Sequence, residues 1–312
     1  MQSVLDIGNG ISLLDARYIQ EDIAAVYLLR QADEVAIIET GTKYTLPHIE
    51  KALNQQGLSF ADVAYVIPTH VHLDHAAGAG MLMDVCDNAK LVIHPYGARH
   101  MIDPSKLIAG TIAVYGEEKF QQFYGEIVPV DGNRVIEAGD GFTLDFNGRI
   151  LEFLDTPGHA RHHFCVWDKL SQSMFTGDTF GLSYREFDVG DAVFIFPTTT
   201  PVQFDPEALI ASIERIASYQ PKQVCLTHFG AIEPTPSVVA QLKEGVRYFS
   251  DLAREYANHA QAQTMIESSM MDYLLQGLQN MGVKDRDFCE RKLKNDVALN
   301  TQGLIYWQQN LS

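Results

Sequence analysis

Thr69-His70-Val71-His72-Leu73-Asp74-His75 sets three imidazoles and one carboxylate within six positions, directly behind the apolar run 63–68. Neutral imidazole and carboxylate are ligands for zinc and similar divalent ions. In an extended chain, side chains two residues apart point the same way, so His70 and His72 can grip one ion. Asp74 and His75 fall where the chain bends into the next helix and can reach a second ion beside the first.

Three later segments repeat the placement of a metal-capable residue at the end of an apolar strand. They are Leu154-Asp155-Thr156-Pro157-Gly158-His159, Phe175-Thr176-Gly177-Asp178-Thr179 and Cys225-Leu226-Thr227-His228-Phe229-Gly230. HxHxDH, then TPGH, then TGD, then a strand-terminal His, in that order, resembles the metallo-β-lactamase superfamily over about residues 10–235. The resemblance implies an α/β fold, a four-layer αβ/βα sandwich with its metals at one edge, followed here by an α-helical C-terminal extension. It also implies that His70, His72 and His159 hold a first ion, that Asp74, His75 and His228 hold a second, and that Asp178 bridges them. Two adjacent dications repel, and a shared carboxylate plus a shared hydroxide offsets the repulsion.

From that pair follows the expected chemistry, hydrolysis of an ester, lactone, thioester or amide of a small molecule. A metal-bridging water loses its proton near neutral pH and attacks, one ion polarises the carbonyl, and the other steadies the leaving atom. Asp74 also orients the hydroxide. Two divalent ions are expected, zinc by default, with iron and manganese accepting the same ligands.

The chain departs from the common TPGHxxGH, reading Thr-Pro-Gly-His159-Ala-Arg-His162-His163. His163 is expected to orient a ligand from behind, and His162 is assigned to the surface. Tyr184, six residues past Asp178, is near enough to bring a phenol to a developing oxyanion, with an aromatic packing contact as its other reading. Phe187, Phe194 and Phe196 fit an apolar pocket or ordinary core. His48, His94, His100 and His259 follow no pattern, although Arg99-His100 lies in a segment that can cap the site. Arg291, Lys292 and Lys294 stand beside Glu290 and Asp296 and read as a solvated face.

The 312 residues suffice for a large catalytic domain, 1–235, and an extension, 236–312, with 95–128 as a cap insertion or a core-packing insertion. Strands are expected at 11–16, 24–30 and 35–40, a helix at 46–53, and period-two strands through 128–167. Val238, Leu242, Val246, Phe249, Leu252 and Tyr256 recur at helical spacing. Helical composition runs to about residue 279, a Gly-Val-Lys-Asp break follows, and a short final segment ends the chain. The stripe packs on something, the catalytic pocket or a second copy in a homodimer.

A formal charge of −17 argues against nucleic-acid and anionic-membrane partners and leaves a small molecule as the expected one. The four cysteines form no CxxC pair, and no run is long and apolar enough for a membrane span. With an N-terminus lacking a signal-peptide pattern, these point to a cytoplasmic protein with reduced thiols. Within the resembling family, a glyoxalase II-like thioesterase shares a helical C-terminal region but its basic glutathione-contacting signature is not evident in 236–312. A lactonase-like esterase fits the aromatic loop and Tyr184 better. The alternative class is a mononuclear iron, persulfide-dioxygenase-like oxidoreductase.

Overall fold

The computed structural model describes residues 4–199 and 202–310. In the N-terminal half, strands β1 (Leu5–Gly8), β2 (Ile11–Asp15), β3 (Ala25–Gln31) and β4 (Glu34–Ile38) form an antiparallel meander. Helix α1 (Leu46–Gln55) leads to β5 (Val63–Ile67), α2 (Leu73–Ala76), α3 (Ala79–Val85) and β6 (Lys90–Ile93). Helices α4 (Pro95–Ile102), α5 (Ser105–Tyr115) and α6 (Glu117–Phe123) precede β7 (Val135–Glu137). The second half holds β8 (Thr143–Phe146), β9 (Arg149–Asp155), β10 (Phe164–Asp168) and β11 (Ser173–Gly177), then α7 (Pro206–Ser218), β12 (Gln223–Leu226) and β13 (Gly230–Ile232). Helices α8 (Pro236–Tyr256), α9 (Ala262–Met281) and α10 (Arg286–Gln309) follow.

Strands β1 to β7 lie in sequence order in one sheet, and β13 to β8 in reverse order in the other. Alternation along β3 explains how the sheets stack, because successive side chains leave opposite faces. Ala25, Tyr27 and Leu29 join a cluster with Phe153, Val166, Phe175 and Leu226 of the second sheet. Val26 and Leu28 join Ile49 and Leu53 of α1, Leu82 and Met83 of α3, and Met101 of α4. The second sheet is covered in turn by Leu209, Ile213 and Ile216 of α7 and by α8. This is the expected four-layer sandwich: helices, sheet, sheet, helices.

Local chemistry sets the helix ends. Asp205, Thr235 and Asp285 cap α7, α8 and α10 by accepting the N–H groups of Ala208, Val238 and Phe288, and prolines open α7 and α8. Gly282, at φ 97°, ends α9 in the left-handed conformation that glycine adopts without strain.

Several expectations change. Short strands β1 and β13 lacked a sequence signal, and β7 joins the first sheet although β8 begins the second. The final segment is not short: α10 has 24 residues. Helices α8 to α10 share the inter-sheet cluster through Leu242, Phe249, Leu274, Leu293 and Leu304; of the two readings of the aromatic loop, ordinary core holds, since Phe180, Phe187, Phe194 and Phe196 belong to that same cluster. The insertion at 95–128 is helical, and α6 packs on the metal-motif turn: Phe120, Tyr124 and Ile127 cluster with Leu73 and Ala77. The four cysteines are buried free thiols.

Candidate metal centre

Each expected ligand follows the end of a strand: His70 and His72 after β5, His159 after β9, Asp178 after β11, His228 after β12, with Asp74 and His75 in the turn α2. Buried strands with apolar side chains carry these polar groups to one rim of the sandwich. His70, His72, His159 and Asp178 form one group, and Asp74, His75 and His228 another, with ligand atoms inside each within 4.8 Å of one another. The seven residues named from sequence are thus brought together. Asp178 stands between the groups. Its Oδ1 lies 3.2 Å from His75 Nε2 and 3.5 Å from His228 Nε2, while Oδ2 lies 3.4 Å from His159 Nε2.

The donor set fits divalent cations on an independent ground. Nε2 of His70 and His75, Nδ1 of His159 and Oδ1 of Asp178 are enclosed without a hydrogen-bond partner, an arrangement that costs free energy unless something else satisfies them. His159 Nε2 and His72 Nδ1 converge to 3.0 Å. His72 and Asp74 are the partly exposed members, which places the opening on their side.

Charge divides the two groups. Burial pushes His72 down to about 3 and His159 to about 4, with neighbouring imidazoles adding to it. His70 is likewise held well below its ordinary range by burial, His75 and His72. In the second group burial acts downward on His228, but Asp178 and Asp74 outweigh it and hold it at about 9. Burial works against the charge of Asp74, and His75 and His228 nevertheless bring it to about 2.

Backbone and buried side chains orient the candidate ligands. His228 Nδ1 donates to the Ile23 carbonyl at 2.6 Å, leaving Nε2 for the centre. His75 Nδ1 lies 3.0 Å from Glu39 Oε1. Glu39 itself is 1% exposed and also accepts from Thr69 N–H, Thr69 Oγ1 and Thr227 Oγ1, so one carboxylate ties the ends of β4, β5 and β12. Sequence reasoning missed Glu39. The available signal was an acid closing the apolar strand β4, just before Gly41, in the same strand-end position as the ligands.

His163 is buried behind the ligands as expected: its Nε2 accepts the Asp178 N–H at 3.2 Å, and Nδ1 faces Thr156 Oγ1 at 2.9 Å. His162 is not on the surface. It is 8% exposed, with its ring 5.6 Å from that of His72 and parallel to that of His70 at 6.1 Å. Burial, with His72 adding to it, brings its pKa down to about 3. The connection from β9 to β10, closed by the Thr156 N–H donating to the His163 carbonyl at 3.1 Å, carries it inside. His94, without a pattern in sequence, is also buried, with Nε2 3.2 Å from Asp155 Oδ1.

Tyr184 lies near the second group: the Ser183 N–H before it donates to the His228 carbonyl at 2.6 Å, and the charge of Asp178 acts on its phenol. Its phenol is buried and donates to Asp296 Oδ1 of α10 at 3.1 Å. Burial and Asp296 raise its pKa well above the ordinary tyrosine value, and burial pushes Asp296 up to about 6. Lys292 is no solvated cation: its ammonium bonds Glu186 at 2.7 Å and sits 4.7 Å over the Tyr184 ring, with 9% of its side chain exposed. The expected solvated face holds for Arg291 and Lys294, which are exposed, and fails for Lys292, which α10 turns onto loop 180–199.

A family model described as the metallo-beta-lactamase superfamily matches residues 19–228, which include all seven ligand candidates. The chain belongs to the metallo-β-lactamase superfamily. A fold-containing protein of this superfamily from Sulfurisphaera tokodaii, ST1585, is 27% identical over 68% of this chain and 75% of its own. The N-acyl homoserine lactonase of Bacillus thuringiensis is 26% identical over 58% of this chain and 61% of its own length. Among solved structures, the metallo-β-lactamase family protein TTHA1429 of Thermus thermophilus superposes with a TM-score of 0.67 at 20% identity, over 97% of this chain and 94% of that one. A likeness over nearly the whole chain takes in the C-terminal helices, so the shared fold includes them.

Proposed function

We propose that this superfamily member is a hydrolase using two divalent ions to cleave an ester, lactone, thioester or amide of a small molecule. The observation that carries the reading is Asp178, whose two oxygens face different histidine groups. A carboxylate shared by two ions accounts for that split. Bound there, two such ions would supply Lewis acidity and an acidified water at neutral pH. Zinc is the proposed metal, on donor chemistry alone.

The protein's own groups do the rest. Asp74, partly exposed and 3.4 Å from His228 Nε2, is placed to accept a proton at Oδ2 from the attacking water. Glu39 and the Ile23 carbonyl hold His75 and His228 in their orientations. Tyr184 is the proposed donor to the developing oxyanion. A phenol has one proton, and at rest Tyr184 gives it to Asp296. Turnover therefore requires that the proton turn from Asp296 to the substrate. The N-acyl homoserine lactonase relative supports a carbonyl substrate.

Metal content per chain, measured by mass spectrometry on protein purified without added metal, tests the reading together with a panel of lactones, thioesters and aryl esters. Two ions with ester-class turnover, abolished in His70→Ala and Asp178→Ala, is the expected result. One iron per chain with oxygen-dependent turnover would replace it with the dioxygenase-like alternative.

A further inference from the structure

The residue at which this chain departs from the TPGHxxGH pattern lies against the first histidine group. Val71, between His70 and His72, directs its backbone N–H at His162 Nδ1, 3.4 Å away. A nitrogen that accepts from a backbone N–H carries no proton of its own, so the proton of the neutral ring sits on Nε2. That Nε2–H has no partner among the described residues. Unlike Nε2 of His70 and His75, it is not sealed from solvent. The ring cannot turn freely: it is 8% exposed, stacked on His70, and edge-on to His72, the open-side member of its group.

We propose that His162 is a substrate-binding residue whose Nε2–H donates to an oxygen of the substrate, carbonyl or carboxylate, on the His72 side of the centre. A buried ring with one nitrogen held by the ligand turn and the other open is built to present a directed donor. Tyr184 stands beside His228 and His162 beside His72, so a substrate lying across both groups would meet one donor at each end. This placement rests on the hydrolase reading for its substrate class, while the donor itself is testable without turnover.

Long-range proton–nitrogen NMR on protein labelled at histidine, with His162→Phe to assign the signal, reads the tautomer. The Nε2–H form at neutral pH is expected, and an Nδ1–H form or an imidazolium would overturn the proposal. Calorimetric titration of the metal-loaded protein with butyrate gives the second readout. His162→Phe is expected to weaken butyrate binding ten- to a hundredfold, roughly the worth of one hydrogen bond to a charged group. His162→Gln, whose amide N–H reaches toward the place of Nε2, should recover part of it, and both variants should keep the parent's metal content. Equal affinity in the Phe variant, no butyrate binding by the parent, or loss of metal in both variants would each sink the donor role. Absence of turnover on the ester panel with butyrate binding and its His162 dependence intact would instead remove the hydrolase reading and leave the donor standing.

Discussion

Glu39 shows how much a single buried carboxylate can organise. It takes a non-glycine residue at φ 64°, which is uncommon, and uses it to aim one side chain at three strand ends. Orienting partners of metal-binding histidines typically matter by about 10- to 100-fold in metal affinity. Glu39→Gln is accordingly expected to weaken metal binding by about that factor, read by competition with a chelating dye; unchanged affinity would reduce Glu39 to a packing role. Tyr184→Phe tests the other end of the centre. It should lower turnover about 100- to 1,000-fold with metal content unchanged, and an unaltered rate would leave the phenol as a tether for Asp296. The seven ligand candidates were legible because motif order and strand-end position coincide. Glu39, His162 and Asp296 were not, since their partners are 30 or more residues away, as in the bond from Thr69 to Glu39.

At the scale of elements, α10 carries the largest revision. Its sequence lacks a clean apolar stripe, because the helix is contacted on more than one side. Cys289, Leu293, Val297 and Leu304 enter the core, while Lys292, Asp296 and Asn300 face loop 180–199. Asn300 accepts the Thr199 N–H at 2.6 Å and donates to the Pro197 carbonyl at 3.2 Å, so the helix fixes the C-terminal end of the loop, while Lys292 and Asp296 hold Glu186 and Tyr184 nearer its start. Leu293→Ala should therefore destabilise by about 2–5 kcal/mol, the range for a truncated core leucine, measured by denaturant unfolding. Removing 236–312 should expose the apolar faces of the second sheet and the aromatic loop and give aggregated protein; a stable, active remnant would show that the extension is dispensable. By contrast α8 was readable in advance, since a single buried face leaves a regular stripe from Val238 to Leu252.

The whole molecule places its metal centre at one rim and a second polar knot far along the strands. Arg149, 1% exposed, pairs with Asp168 and donates to the Asn9 carbonyl at 2.8 Å, tying the start of β9 and the end of β10 to the β1–β2 turn. Breaking a buried pair by removing one partner leaves an uncompensated charge and costs about 3–5 kcal/mol. Arg149→Met should cost roughly that in denaturant unfolding while metal content stays at the parent's level. A coupled loss of metal would show that the two ends of the sandwich communicate. Chelation should lower the melting temperature, because an ion bound to the folded chain stabilises it by mass action; an unmoved transition would argue that the seven residues hold no ion.

Sequence by itself determined the family, the seven ligand candidates and the alternation that stacks two sheets, because short-range periodicity and strand-end position are written in neighbouring residues. The transfer of β7 to one sheet and β8 to the other, the burial of His162, the Glu39 knot and the reach of α10 to Tyr184 were decided only in three dimensions. Each depends on which distant strand or helix a side chain meets, and a polar residue looks the same in sequence whether it faces water or a buried partner.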